Sequence, residues 1–208
     1  EYAKVVDAGF VLQIDAPDLA MERVLLYQDL SDGEFAKLVE QHVAALNRGL
    51  EGLPPDRVRL HVCWGNWEGP HNYDVAMDVI LPALYQANVG ALGLEFANPR
   101  RQHETAALRK HKLPDRMLLI PGVIDCKSNF IEHPEVVAQR IEAVVAAVGV
   151  PALSTGFFQL VRLGGNSPSA AKAATMITDL SLAGLLGTAG QVLTVAILMT
   201  AGIAASWS

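Results

Sequence analysis

The chain has 208 residues, a formal net charge of −6 and a hydrophobic fraction of 51%. The acidic balance argues against nucleic acid as a partner, because a nucleic-acid-binding surface needs a basic stripe. Two cysteines are too few for a disulfide framework, so we expect a cytoplasmic protein. The opening residues, Glu1-Tyr2-Ala3-Lys4, show no signal peptide and are typical of a helix interior, so we expect a fragment of a longer protein.

The first 50 residues predict a helix, a strand and a longer helix. Residues 2–8 are typical of a short helix, and residues 10–15 of a strand whose last residue is an acid, Asp15. Ser31 and Glu34 have the spacing of a capping box at the start of an amphipathic helix. That helix is expected to end before the run Gly52-Leu53-Pro54-Pro55.

Apolar and polar residues alternate along residues 57–63, which is the pattern of a strand with one buried face. The polar face carries Arg59, His61 and Cys63. An imidazole and a thiol two residues apart on a strand project side by side, which suits a zinc site. On spacing alone, a buried cysteine beside a hydrogen-bonded histidine on an ordinary core strand explains the pair as well. The break at Trp64-Gly65-Asn66 places the pair at the carboxyl end of the strand.

A helix is predicted over about residues 73–87, with Pro82 as a candidate kink, and a third strand over residues 90–96. Ala91 and Gly93 share a face of that strand with Glu95. Small residues beside a carboxylate are expected where side chains crowd towards a centre.

The next part of the chain continues the alternation of helix and strand. Residues 98–112 are polar and predicted to be partly helical, and residues 117–125 form a nearly continuous apolar run that ends in Asp125. Such a run predicts a strand buried on both faces. A helix is predicted from Pro134 to about residue 148, and a fifth strand over residues 152–158.

The alternation of strands and helices predicts an α/β fold with a parallel sheet. An open doubly wound sheet and a (β/α)8 barrel both fit this order. Polar residues at the carboxyl ends of several strands favour the TIM barrel, whose sites are assembled in that way. A complete barrel needs about 250 residues, so we expect an incomplete barrel that lacks its opening strands.

The sequence after residue 150 differs in composition from the part before it. Residues 180–208 contain no charged side chain, and by length this run is a candidate membrane span. Its glycines, the internal Gln191 and the lack of flanking basic residues argue against a span. We therefore expect two regions, a barrel part over residues 1–149 and a divergent apolar tail over residues 150–208. Translation out of frame would explain that tail.

Four motifs, which occur in the same order as in a known family, carry a resemblance that extends over about residues 1–149. They are Leu12-Gln13-Ile14-Asp15-Ala16-Pro17, His61-Val62-Cys63-Trp64-Gly65-Asn66, Leu94-Glu95-Phe96-Ala97-Asn98-Pro99-Arg100 and Pro121-Gly122-Val123-Ile124-Asp125. With these motifs the chain resembles the catalytic carboxyl-terminal barrel of the cobalamin-independent methionine synthase family. It is most similar to the short members, a group that includes epoxyalkane:coenzyme M transferases.

The resemblance implies a zinc-dependent thiol alkyltransferase. It implies that His61, Cys63 and Glu95 are ligands of Zn2+, and that Asp15 contacts the amino group of homocysteine. A methylated tetrahydrofolate would then be the methyl donor, and the product methionine. Zinc removes the proton from a bound thiol and so makes it a nucleophile. Transfer of coenzyme M to an epoxide is the alternative, and Asp15 favours the amino-acid thiol because a sulfonate prefers a basic contact.

The sequence departs from the family pattern at a further zinc ligand. The family has a cysteine there, in a motif resembling Ser/Thr-Asp-Cys-Gly-Phe, whereas this chain has Ser154-Thr155-Gly156-Phe157-Phe158. Cys126 follows Asp125 in a different loop and does not replace that cysteine. This departure leaves a further alternative, an inactive truncated or frame-shifted relative of the family.

Overall fold

The computed structural model describes residues 1–67, 69–125, 127 and 129–149. Its helices and strands are α1 (Tyr2–Asp7), β1 (Leu12–Asp15), α2 (Glu22–Leu25), α3 (Asp32–Gly49), β2 (Val58–His61), α4 (Met77–Leu84), β3 (Ala91–Glu95), α5 (Thr105–Lys110), β4 (Leu118–Gly122) and α6 (Pro134–Val148). Short 3-10 helices occupy Pro17–Leu19, Pro55–Arg57 and Gln102–Glu104. The strand predicted over residues 152–158, the tail over residues 150–208 and Cys126 lie outside the described residues.

The strands form one four-stranded sheet in the order β1-β2-β3-β4. β1 pairs with β2 in parallel, and β2 pairs with β3 in parallel. Parallel neighbours need a crossover connection, and helices lie between these strands in the chain. The α/β class and the parallel sheet are therefore confirmed. The arrangement is compatible with part of a barrel, and closure into a barrel is not seen in the described residues.

The chain divides into two compact units. Among the described residues, the first contains residues 1–95 and 106–119, and the second contains residues 96–105 and those from 120 to 149. All of the residues predicted to form the site, Asp15, His61, Cys63 and Glu95, belong to the first unit. In the second unit, Ile141 and Val145 of α6 pack with Val123.

Burial alternates along β2 and β3 as the sequence predicts. Leu60 and Leu92 are fully buried, whereas the residues on the other face of each strand are only half-buried. The helices α3 and α4 pack against each other and bury their apolar faces. Residues buried on these helices are Phe35, Val39, Val43, Met77, Ile80, Leu81 and Leu84. One face of β2 and β3 is thus buried, and the half-buried residues, which include Arg59, His61 and Glu95, lie on the other.

The predicted starts of helices α3 and α6 are confirmed. The Ser31 N–H donates to Glu34 Oε2 at 2.8 Å, and the Glu34 N–H donates to Ser31 Oγ at 3.3 Å, which completes the capping box. Helix α6 begins at Pro134 and is followed by Gly149 in the left-handed conformation, with φ of 77°.

Three predicted elements differ from the structure. Strand β2 ends at His61 rather than at residue 63, so Cys63 lies just beyond it. Helix α4 begins at Met77 rather than near residue 73, because side-chain hydrogen bonds hold the preceding residues in a loop. The prediction that the fourth strand is buried on both faces was wrong. Leu119 is buried while the residues beside it are half-buried, since an apolar composition does not reveal which face is covered.

None of the described helices has the length and apolarity needed to cross a membrane. The charge-free run over residues 180–208 lies outside the part of the chain that the structure describes.

The start of β3 depends on a close backbone approach at Gly90. A Cβ there would lie 2.7 Å from the Pro55 carbonyl oxygen and 2.8 Å from the Asp56 Cα, and neither backbone atom can move easily.

We expect Gly90→Ala to lower the free energy of unfolding by about 1–3 kcal/mol. Gly33→Ala is the matched control, because a Cβ on Gly33 meets nothing within 4 Å. It should raise stability by up to about 1 kcal/mol, since Gly33 is helical. Urea unfolding of both variants measures this, and equal destabilisation would contradict it.

Candidate functional site

The polar face of β2 is the centre of the candidate site. Val58, Leu60 and Val62 are at most 1% exposed, so their side chains belong to the core. The period of a strand turns the intervening side chains to the opposite face. Arg59 and His61 lie on that face and are half-buried. The polar row predicted from the sequence is therefore present in the structure.

The register of β1 on β2 places Asp15 directly opposite His61. His61 Nδ1 lies 3.0 Å from Asp15 Oδ1. The two side chains are 42% and 64% exposed, so solvent screens the pair and it adds little to stability. The effect of the contact is to orient the imidazole at the carboxyl end of the sheet.

Asp15 makes a second hydrogen bond within its own strand. The Gln13 amide donates to Asp15 Oδ1 at 2.8 Å. An ionised carboxylate only accepts hydrogen bonds, so pairing with Asp15 favours the His61 tautomer that carries its proton on Nδ1. In the neutral ring this leaves the lone pair on Nε2, which can accept a proton or bind a metal ion. A histidine oriented by a carboxylate in this way is the usual arrangement behind a metal-ligating imidazole.

Strand β3 provides space beside the His61 ring. Gly93 lies opposite His61, and a Cβ on Gly93 would lie 3.7 Å from His61 Cδ2. A side chain longer than alanine at this position would therefore crowd the imidazole. This is the small-residue face that the sequence predicted on the third strand.

Cys63 and Glu95 follow His61 and Gly93 by two residues each. The Val62 N–H donates to the Gly93 carbonyl oxygen at 3.1 Å, which continues the pairing of the two segments past the end of β2. Cys63 and Glu95 are both half-buried. The structure thus brings these two residues to the same end of the sheet as His61.

His61, Cys63 and Glu95 are of the residue types that bind zinc, but their side chains are not positioned as a metal site. Imidazole, thiolate and carboxylate are all zinc ligands. In the described part of the chain, however, no group of three or more His, Cys, Asp or Glu side chains is close enough together to hold a metal ion. His61, Cys63 and Glu95 therefore do not form a three-ligand site in this arrangement.

The loop that follows β2 is held by internal hydrogen bonds. The Trp64 indole is buried and donates to the Val75 carbonyl oxygen at 2.8 Å. His71 Nδ1 lies 2.8 Å from Asp74 Oδ1, and both side chains are more than nine-tenths buried. His71 Nε2 lies 2.9 Å from the Trp67 carbonyl oxygen. The His71–Asp74 pair was not predicted from the sequence, although the spacing of three residues between a histidine and an aspartate could have indicated it.

Asp125, the acid at the end of the fourth predicted strand, belongs to the second unit. Its carboxylate accepts a hydrogen bond from the Lys127 N–H at 3.0 Å, and its own N–H donates to Glu132 Oε2 at 2.8 Å. These bonds stabilise the loop after β4.

One curated relative matches part of this chain. The chain is 30% identical over 132 residues to 2-hydroxypropyl-CoM lyase from Xanthobacter autotrophicus (strain ATCC BAA-1158 / Py2). The match covers 51% of this chain and 35% of that protein, so the chain spans about a third of the relative's length. No family model matches the sequence, and no solved structure matches it. The match supports the resemblance to the short, coenzyme M-related members and does not extend to methionine synthase itself.

Proposed function

We propose that this chain carries part of the active site of a thiol alkyltransferase that acts on coenzyme M. The Asp15–His61 pair carries the proposal, because it presents an oriented imidazole at the carboxyl end of a parallel sheet. The similarity to 2-hydroxypropyl-CoM lyase favours coenzyme M over homocysteine as the thiol. Asp15, which the resemblance assigns to the amino group of homocysteine, already bonds Gln13 and His61.

In the proposed reaction, a thiol and an epoxide combine to give a 2-hydroxyalkyl thioether. The thiol proton passes to His61 Nε2, which points away from the Asp15 carboxylate because that carboxylate orients the ring through Nδ1. The sulfur attacks an epoxide carbon, so a C–S bond forms and the C–O bond breaks. The alkoxide then takes up the proton, and the overall reaction neither consumes nor releases one. The reverse sequence cleaves the thioether, which is the lyase direction.

We include zinc in this proposal for two reasons: the residue types present are zinc ligands, and the sequence resembles a zinc-dependent family. We propose His61, Cys63 and Glu95 as its ligands within the longer barrel. When bound, zinc would stabilise the substrate thiol as its thiolate. The three side chains do not form a metal site in this structure, so the steps above describe the site without metal. With zinc on His61 Nε2, that nitrogen could not accept the thiol proton, and the metal would stabilise the thiolate in its place.

The activity is tested with 2-mercaptoethanesulfonate and epoxypropane as substrates, and with the thioether product measured by mass spectrometry. We expect the 208-residue chain to form the product, and His61→Asn to reduce the rate roughly a hundredfold or more. His42→Asn is the matched control, since His42 Nδ1 also lies beside a carboxylate, 2.9 Å from Asp18 Oδ2, on helix α3. It should keep the activity of the unsubstituted chain.

A parallel reaction with homocysteine and methyltetrahydrofolate separates the two thiols. Turnover of homocysteine alone would contradict the coenzyme M proposal and favour methionine synthesis. Lack of turnover with either pair would contradict both and favour the inactive relative.

Zinc binding is tested by titration against a competing chelator. Without the further cysteine of the family pattern, we expect an affinity below that of a complete site with three or four protein ligands. Cys63→Ser should remove most of the affinity, because it deletes the thiolate, whereas Cys126→Ser should change it little. Equal weakening by both substitutions, or no effect of Cys63→Ser, would contradict the ligand assignment.

A further inference from the structure

Arg59 is a cation on the polar face of β2 that the proposed reaction does not use. Its side chain is half-buried, and within the described part of the chain its buried Nε has no hydrogen-bond partner. A buried polar group without a partner costs free energy, and more so when the group is charged. An anion paired with the guanidinium would offset part of this cost.

The flanking strands do not neutralise Arg59. Its partners in the register are Gln13 on β1 and Ala91 on β3, and neither side chain carries a charge. The neighbouring carboxylate on β1, Asp15, accepts hydrogen bonds from Gln13 and His61. Arg59 therefore adds positive charge to the polar face next to His61.

Arg59 and His61 lie at a distance that suits a small bifunctional ligand. Alternate residues on a strand share a face and are about 7 Å apart. A thiol whose anionic group is separated from the sulfur by two carbon atoms can place the sulfur at His61 and the anion at Arg59. The planar guanidinium matches the oxygens of a sulfonate or carboxylate and can donate two parallel hydrogen bonds.

We propose that Arg59 binds the anionic group of the thiol substrate, with the sulfonate of coenzyme M as that group. The inference rests on the proposed function and names the part of the substrate that this face recognises. The sequence motifs contain an acid, Asp15, but no basic residue assigned to a sulfonate, and this argued against coenzyme M as the thiol. Arg59 provides the basic contact that a sulfonate needs.

The test compares ligands that differ only in charge or in the thiol. The ligands are 2-mercaptoethanesulfonate, 2-mercaptoethanol, which lacks the anion, and ethanesulfonate, which lacks the thiol. Binding to the 208-residue chain is measured by calorimetry. The variants are Arg59→Gln, Arg59→Lys and, as the control for net charge, Arg48→Gln on an exposed position of α3.

We expect the unsubstituted chain to bind 2-mercaptoethanesulfonate roughly tenfold or more tightly than 2-mercaptoethanol, as for a hydrogen bond to a charged group. Arg59→Gln should abolish this preference, Arg59→Lys should keep part of it, and Arg48→Gln should leave it unchanged. Retention of the preference in Arg59→Gln would overturn the proposal. An equal loss in Arg48→Gln would also overturn it, because general charge attraction would then explain the binding. If Arg59→Gln does not fold, Arg59→Lys against Arg48→Gln provides the same comparison.

Ethanesulfonate separates this inference from the proposed reaction. Binding of ethanesulfonate that Arg59→Gln removes and His61→Asn retains supports the anion site even if the chain shows no thiol transfer. Binding of 3-mercaptopropionate, measured in the same way, compares a carboxylate with the sulfonate of 2-mercaptoethanesulfonate. A stronger preference for this ligand would support an anion site at Arg59 and overturn its assignment to a sulfonate.

Discussion

The parallel register of β1 on β2 is the constraint on which the candidate site depends. It pairs Asp15 with His61 and Gln13 with Arg59 across the two strands. A shift of one residue would turn every side chain of a strand to the opposite face and place the polar row against the core. The buried residues Leu60 and Val62 prevent that shift, because exposing them would cost about 1.5–3 kcal/mol each. Burial of the apolar residues therefore determines which side chains lie together on the polar face.

The polar face contributes little to the stability that holds it in place. The Asp15–His61 contact is largely exposed, and the Arg59 Nε is buried without a partner in the described residues. A strand selected only for packing would favour apolar or paired side chains at these positions. A cation and an oriented imidazole on one face match the ligand proposed above, which carries both an anion and a weakly acidic proton. A thiol with a sulfonate group has both properties.

Much of the fold could be predicted from the sequence because periodic burial and capping are local. The capping box at Ser31, the start of α6 at Pro134 and the alternation along β2 all follow from neighbouring residues. The extent of α4 could not be predicted, since it depends on hydrogen bonds such as that from Trp64 to Val75. The contact between Asp15 and His61 also escaped prediction. These residues are far apart in the sequence, and only the strand register brings them together.

The protonation state of the His61 ring tests this account most directly. Long-range 1H–15N correlation spectra distinguish a proton on Nδ1 from one on Nε2 in the neutral ring. The account predicts that neutral His61 carries its proton on Nδ1, and that Asp15→Asn shifts the proton towards Nε2. Asp18→Asn, which removes the equivalent partner of His42, should leave the His61 signals unchanged. A neutral His61 protonated on Nε2 in the unsubstituted chain would contradict the account.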